Sequence, residues 1–549
     1  MNLSENAFTV LERRYLRKKE GNGLFETVEE LFRRVANNIS QAELNYHHNE
    51  REREKQADEF FDIMTNFEFL PNSPTLMNAG TDIQQLAACF VLPVGDSMEA
   101  IFDSVKSAAL IHKSGGGTGF SFSQLRPKDD VVQSTRGVSS GPISFMAVFD
   151  AATEAVKQGG RRRGANMAIL RVDHPDILDF IESKKNHDRL NNFNISVALT
   201  DAFMGALASD AEYDLTNPRT GVTEGTLSAR RVFELIVQSA WQSGEPGIVF
   251  IDRINRDNPT PHLGEIESTN PCGEQPLLPY ESCNLGSLNL SAVVREENGE
   301  NFIDYDRLAR NIRVAVRFLD NVIDMSVYPI PEIGERTRAN RKIGLGIMGF
   351  ADMLIKLHVA YDSDEAIDLG RKIMRFIQQE SATASEELAE ARGPFPAFQG
   401  SAFDLSGKRP RRNATTTTIA PTGTISIIAG ASSGIEPLFA LAYVRNVLDN
   451  DELVEVNPVF KEIAEREGFY SDELMERIAT EGTVEHIDDV PVQWRTVFRT
   501  AHDISPEAHI RMQAAFQEHT DNAVSKTVNF ARDASTGDVE EVVLLAHKL

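Results

Sequence analysis

Three cysteines occur among 549 residues, and one sits in the run Asn270-Pro271-Cys272-Gly273-Glu274. A thiol flanked by proline and glycine belongs in a tight loop, not in a helix. Glu274, two positions on, reaches toward the same substrate and is suited to general-base work. Asn270 is suited to holding a hydroxyl by hydrogen bonding. The bland fate of a lone cysteine is a packed core position. Cys89, within Leu86-Ala87-Ala88-Cys89-Phe90, fits that fate, and Cys283, within Ser282-Cys283-Asn284-Leu285, is unremarked by itself. Together the three allow a different arrangement, in which two form a dithiol that closes to a disulfide and the third is the reactive sulfur. The 194 residues between Cys89 and Cys283 (283 − 89) neither favour nor oppose that pairing, because the fold decides it.

The composition narrows the setting. The chain is 41% hydrophobic, ample for a large core, and its net charge is −26. Such a surface repels nucleic acid and anionic lipid, so neither is an expected partner. No apolar run approaches the roughly 20 residues of a membrane span. The opening Met1-Asn2-Leu3-Ser4-Glu5 lacks a signal-peptide pattern, so a cytoplasmic protein is expected. The cysteines lack CxxC spacing, and no metal site is expected. His47 and His48, and the pair His502 and His509, read as surface or capping histidines.

The elements that must position these residues alternate. Thr27 and Glu30 form a capping-box pair opening one helix, and Ala57, Phe60, Phe61 and Met64 stripe the next. Phe69 to Pro74 breaks the pattern. Ala87 to Leu92 is an apolar run, followed by a helix capped by Asp96 and Glu99 that ends at Gly115-Gly116-Gly117. Met167 to Val172 and Phe193 to Thr200 read as strands, separated by a helix from near Pro175. Long helices are expected over 228–242, 304–325, 363–391 and 506–518, and a strand over Thr415 to Ile419. The pattern is α/β, a sheet or barrel, with a helical region over 1–70 and one large catalytic domain over 71–549.

Three glycine-bearing segments suggest phosphate or nucleotide sites. Pro421-Thr422-Gly423-Thr424-Ile425-Ser426 follows the threonine-rich strand, where a turn can aim backbone N–H groups at a phosphate. Thr135 to Pro142, with Arg136, and Gly159 to Asn166, with Arg161, Arg162 and Arg163, are basic or glycine-rich loops in an acidic chain, and by composition alone solvated loops are the favoured account. Gly344-Leu345-Gly346-Ile347-Met348-Gly349 matches G-x-G-x-x-G, but the polar run before it does not supply the apolar strand of a dinucleotide fold. A closely packed glycine-patterned helix is expected there instead.

The segments Leu70 to Gly80, Asn270 to Glu274 and Ala420 to Ser426 together resemble the ribonucleotide reductase catalytic subunit, in the family's order and along nearly the whole chain. The resemblance implies a ten-stranded α/β barrel. It implies that Cys272 becomes the thiyl radical that abstracts the ribose 3′ hydrogen, that Glu274 takes the 3′-hydroxyl proton and that Asn270 binds that hydroxyl. Cys89 and Cys283 would be the reducing dithiol, left as a disulfide, with Cys89 protonating the departing 2′-hydroxyl. Ser73, Ala88, Gly117, Pro271, Gly273 and Pro421 to Ile425 (Pro421, Thr422, Gly423, Thr424, Ile425) match substrate-contacting positions; Ala88 stands where some relatives have serine, so contact there would come from backbone. The loops with Arg136, Arg161, Arg162, Arg163 and Asn166 match those that read a deoxynucleotide or ATP effector at a homodimer interface. No fourth cysteine is present to reopen the disulfide, and the chain stops at Leu549 without the family's tail cysteine pair, so a tail from elsewhere, a thioredoxin-like protein or a small dithiol would act.

The branches of this family differ in their radical source. The chain has no Tyr-Tyr pair and no glycyl-radical segment, while Glu5 to Leu16 and Asp521 to Phe530 resemble the adenosylcobalamin-dependent branch. That cofactor is therefore expected. The N-terminal region is too short for the family's ATP cone. A diiron-partnered large subunit and a non-catalytic nucleotide-binding regulator on the same fold are the alternatives; the full set of thiols, amide and carboxylate opposes the second.

Overall fold

Local signals set the N-terminal helices. Ser4 caps helix Glu5–Arg14, and reciprocal capping boxes open helices Val28–Ser40 (Thr27 with Glu30) and Glu50–Thr65 (Asn49 with Glu52). Their apolar stripes, including Phe32, Val35, Ile39, Phe60 and Met64, are fully buried in one core shared with helix Tyr305–Met325. Phe60 and Phe318 meet edge to face at 5.0 Å. A buried charge network locks the same junction. Glu43 takes Arg317 at 2.5 Å and Arg392 at 2.7 Å, and Asp320 takes Arg341 at 2.8 Å and Arg392 at 2.9 Å. The computed structural model describes residues 3–18, 25–46, 49–132, 137–157, 164–185, 189–447 and 451–549.

One eight-stranded sheet forms the barrel wall. Strands Cys89–Leu92, Gly117–Ser121, Asn166–Arg171, Phe193–Leu199 and Gly247–Phe250 run parallel in that order. Asn166–Arg171 and Phe193–Leu199, two inner strands of this run, are buried almost throughout, as strands covered on both faces are. Strand Ser282–Asn289 reverses direction, pairing antiparallel with Cys89–Leu92 and Phe69–Pro71 and parallel with Ile343–Met348. Parallel bridges Leu345–Thr417 and Ile419–Val524 continue the wall through two more extended segments. Eight strands and these two segments correspond to the ten expected. The sheet curls so that its two ends, near Val249 and Val524, face one another across a cleft of about 1890 Å³. Helices cover the outside, and a smaller helical cluster, with Phe460, Ile478 and Trp494 at its centre, packs against Ala351 and Ile355 of helix Phe350–Lys356.

Several expectations need correction. Residues 344–349 are not a helix: Ile343–Met348 is a fully buried strand. Ile343, Leu345 and Ile347 alternate as a strand requires, and that period was masked by the glycines between them. A Cβ on Gly346 would lie 2.4 Å from the Thr418 carbonyl oxygen, so glycine is what lets the next segment approach. Residues 415–419 are extended but joined by isolated bridges instead of a continuous ladder. The helix after Gly95 is Met98–Lys113, capped by Ser97; Asp96 instead pairs with Arg126 at 2.8 Å. The helix near Pro175 is only Ile177–Ile181. Among the described residues, no helix is long and apolar enough to cross a membrane.

Candidate active site

The Cys272 loop is a hairpin threaded into the barrel. Strands Ser268–Thr269 and Pro276–Leu277 pair antiparallel at its base. Asn270 and Gln275 close the tip: the Asn270 N–H donates to the Gln275 carbonyl at 3.2 Å, and the Gln275 N–H donates to Asn270 Oδ1 at 3.0 Å. Gly273 turns the chain at φ +82°, a left-handed conformation that favours glycine. Both halves of the barrel grip the hairpin. Asn194 Nδ2 donates to the Pro271 carbonyl at 2.7 Å from one side. From the other, Thr418 Oγ1 at 2.9 Å and the Ala523 N–H at 3.0 Å donate to the Glu274 carbonyl. Gly119 lies so close that a Cβ there would sit 1.7 Å from the Thr269 carbonyl oxygen.

The wall brings the other two sulfurs together. Cys89 and Cys283 are direct cross-strand partners. Antiparallel partners have Cα atoms about 4.5–5.5 Å apart, inside the roughly 4.4–6.8 Å window of a disulfide. Asn270 joins this pair to the hairpin, donating from Nδ2 to Cys89 Sγ at 3.1 Å. Cys283 is completely buried, and burial pushes its thiol well above the ordinary range. Cys272 is exposed to the cleft, whereas Asn270 and Glu274 are buried beside it. The site thus combines an accessible thiol, a carboxylate two residues away, and a pair of buried thiols in cross-strand register.

The remaining expected site residues fall into two groups. Gly117 N–H donates to the Ala88 carbonyl at 2.9 Å, and a Cβ on Gly117 would meet Pro271 Cγ at 3.0 Å, so Ala88, Gly117 and the hairpin share one rim. The Ala88 N–H also serves the sheet, donating to the Cys283 carbonyl at 3.3 Å. Ser73 begins helix Ser73–Asn78, and its hydroxyl lies 2.7 Å from the Tyr15 hydroxyl. Pro421 to Thr424 form the turn into helix Ile425–Ala429, which packs on helix Glu5–Arg14 and strand Phe69–Pro71. That brings the turn near Ser73. Thr422 holds φ +53° and accepts the Gly434 N–H on Oγ1 at 2.8 Å. Asn166 is buried at the start of its strand; it accepts from Thr118 at 2.6 Å and donates to Thr153 at 2.9 Å. Arg136, Arg161, Arg162 and Arg163, like His47 and His48, lie outside the described residues. His502 packs on Phe439, whereas His509, expected at the surface or as a cap, is fully buried inside helix Pro506–Gln517 and accepts from Lys526 at 2.8 Å; among the described residues no cluster could hold a metal.

Sequence reasoning missed the residues that hold the hairpin. Thr418 belonged to a run valued only for β propensity, and Asn194 to a strand read for its apolar positions. Tyr15 and the buried Glu281–Lys342 ion pair, 2.7 Å long, carried no local signal. The one available hint was glycine: Gly119, Gly344 and Gly346 are places where neighbouring atoms leave no space for a side chain.

Comparisons agree with this geometry. Residues 87–408 and 404–549 match the family described as ribonucleotide reductase, barrel domain, and residues 1–84 match ribonucleotide reductase, all-alpha domain. The vitamin B12-dependent ribonucleoside-diphosphate reductase of Thermoplasma acidophilum is 49% identical over 603 aligned positions, covering 100% of this chain and 78% of that protein. A protein of the same description from Mycobacterium tuberculosis is 50% identical over 549 positions, covering 100% of this chain and 78% of its own length. The class Id ribonucleotide reductase alpha subunit of Actinobacillus ureae superposes with a TM-score of 0.80 at 23% identity, covering 100% of this chain and 95% of that one, which establishes likeness of fold. A hairpin thiol inside a curled ten-segment wall, backed by a cross-strand cysteine pair and matched along both of its regions, makes this chain a member of the ribonucleotide reductase family.

Proposed function

We propose that this chain reduces ribonucleotides to 2′-deoxyribonucleotides for DNA synthesis, as an adenosylcobalamin-dependent ribonucleoside-diphosphate reductase. The observation that carries the reading is the convergence of Cys272, Glu274 and Asn270 on one hairpin with the cross-strand pair Cys89 and Cys283. The near-50% identity to relatives described as vitamin B12-dependent diphosphate reductases supports the cofactor and the substrate class.

Cys272 lies at the cleft, and adenosylcobalamin when bound there supplies the one-electron oxidising equivalent that turns its thiol into a thiyl. The cleft fits so large a group. Phe250, Ile254, Val543, Ala546 and Leu549 line it with apolar side chains that would receive the macrocycle. The thiyl at Cys272 removes the 3′ hydrogen of the ribose. Asn270 binds the 3′-hydroxyl, and Glu274 takes its proton. Cys89 protonates the 2′-hydroxyl, which leaves as water. Cys89 and Cys283 then deliver two electrons and the hydrogen that takes the hydroxyl's place at C2′, closing to a disulfide, and Glu274 returns its proton to the 3′ oxygen. Cys272 returns hydrogen to C3′ and regains its thiyl. Ser73, Ala88, Gly117 and the 421–425 turn frame the sugar and its diphosphate.

A dithiol, from a thioredoxin-like protein or a small molecule, reopens the disulfide. A deoxynucleotide or ATP effector binds the loops Thr135 to Pro142 and Gly159 to Asn166, which flank helix Pro142–Lys157 in the sequence. The chain works as a homodimer in the cytoplasm. Exposed Phe102 and Leu110 on helix Met98–Lys113, which packs on the helix between those loops, support a covered face there.

The test is turnover of a ribonucleoside diphosphate with dithiothreitol, with and without adenosylcobalamin. Product that forms only with the cofactor, and not with Cys272→Ser, is expected. Product that instead requires a second metalloprotein and ignores the cofactor would overturn the cofactor assignment.

A further inference from the structure

A buried ion pair lies directly beside the dithiol. Glu281 stands just before strand Ser282–Asn289, its carbonyl accepting the Val91 N–H at 3.1 Å, and in this extended stretch it lies on the same face as Cys283 two residues on. On the parallel neighbour, Asn284 is in register with Ile343, which sets Lys342 opposite Cys283. Cys283 Sγ lies 3.7 Å from the Lys342 carbonyl oxygen. Lys342 Nζ donates to Glu281 Oε2 at 2.7 Å, with both side chains 2% exposed or less. Glu281 is itself fixed: the Leu278 N–H donates to Oε2 at 2.7 Å, and Asn340 Nδ2 donates to Oε1. Stability alone gives little reason for such a pair, because exchanging a buried ion pair for apolar residues is often neutral or stabilising. Its place beside a sulfur that must change charge gives it another use.

We propose that the Glu281–Lys342 pair sets the reactivity of Cys283, the Lys342 ammonium stabilising the negative charge that reaches this sulfur when the Cys89–Cys283 disulfide is reopened. The inference rests on reading Cys89 and Cys283 as the redox pair. A thiolate of an external dithiol attacks Cys89 Sγ, the S–S bond breaks, and Cys283 departs as a thiolate. The second thiol of the reductant then displaces Cys89. The reductant ends as a disulfide, and both cysteines end as thiols after taking two protons. A leaving sulfur departs faster when its thiol is more acidic. Burial opposes that at Cys283. Lys342 works against burial, while Glu281 just before the strand and Glu274 on the hairpin add to it; Cys89 faces Cys283 across the ladder. Lys342 is thus a positioning residue whose charge is aimed by an anchored carboxylate.

The experiment uses full-length enzyme taken through one turnover without reductant. Dithiothreitol is then added, and the appearance of an alkylatable Cys283 is followed by mass spectrometry from neutral to alkaline pH. Lys342→Met is expected to slow reopening by roughly ten-fold and move its pH profile upward. Lys342→Arg recovers most of the rate, and Lys342→Met with Glu281→Gln stays slow. Glu281→Gln alone leaves the ammonium uncompensated and speeds reopening, which keeps the test available if Lys342→Met does not fold. Wild-type rate and profile in Lys342→Met, an Arg variant as slow as Met, or slower reopening in Glu281→Gln would each overturn the inference. Absence of a Cys89–Cys283 disulfide in wild-type enzyme after that turnover would overturn the redox reading, and this inference with it.

Discussion

Gly119→Ala tests whether the wall sets the position of the reactive thiol. The added methyl would stand 1.7 Å from the Thr269 carbonyl oxygen and 2.7 Å from its carbon, both backbone atoms. Real Cβ atoms essentially never come within 3.0 Å of a neighbour, so one of the two strands must shift by about 1.3 Å. Gly119 sits in the middle of a wall strand paired on both sides. Thr269 ends a two-residue strand, and it is the piece that yields. Asn270 is next in the chain and Cys272 two further on, so the displacement passes to the thiol and to the Asn270–Cys89 hydrogen bond. A misplacement of about 1 Å at reacting groups can cost roughly 100-fold in rate, and overpacking of this kind costs about 1–3 kcal/mol in stability. The expected result is a kcat at least about 100-fold lower with a folded protein and a modest loss in urea stability. Gly117→Ala, whose Cβ would come no closer than 3.0 Å, to the Pro271 ring, should be milder. A Gly119→Ala enzyme within a few-fold of wild-type kcat would refute the claim that this contact positions the loop.

Other outcomes follow from the same geometry. Cys272→Ser should abolish product, while Cys283→Ser should still permit hydrogen abstraction from C3′, read as tritium release from labelled substrate, without clean turnover. Tyr15→Phe removes the partner 2.7 Å from the Ser73 hydroxyl and should raise KM for the nucleotide more than it lowers kcat. Burial pushes Glu43 upward, but hydrogen bonds from Arg317 and the charge of Arg392 outweigh it and hold the carboxyl at about 2. A depressed carboxyl stabilises the fold above its unfolded value and loses that contribution as pH falls from about 4.5 toward 2. At roughly 1.4 kcal/mol per unit the effect is about 3 kcal/mol. Glu43→Gln should therefore lower stability at neutral pH and flatten the acid limb of a denaturation series; an unchanged limb would show that the network does not hold the junction.

Much of the fold was legible because its signals are local. Thr27 with Glu30 marked a helix start, and apolar periodicity placed 228–242, 304–325, 363–391 and 506–518 within a residue or two of Ala229–Ser243, Tyr305–Met325, Asp364–Arg392 and Pro506–Gln517. The strand at 343–348 was misread because glycine at alternate positions conceals a period of two. In the site, the loop around Cys272 could be inferred from its proline and glycine, but the Cys89–Cys283 register could not. It depends on Ser282–Asn289 entering the wall antiparallel beside a strand about 190 residues earlier, a fact of topology. Lys342 was invisible for the same reason, since only the parallel register with Asn284 and Ile343 sets it opposite Cys283.

Small barrels are ordinarily filled by side chains. This one gives its interior to main chain, and Gly119, facing the Thr269 carbonyl, and Gly344, facing Gln275, vacate the room. The filling of the core and the instrument of chemistry are consequently the same stretch of polypeptide. A change that improves packing at the lumen moves the thiol, and a change that retunes the thiol alters packing, so evolution at these inward positions answers to both demands at once.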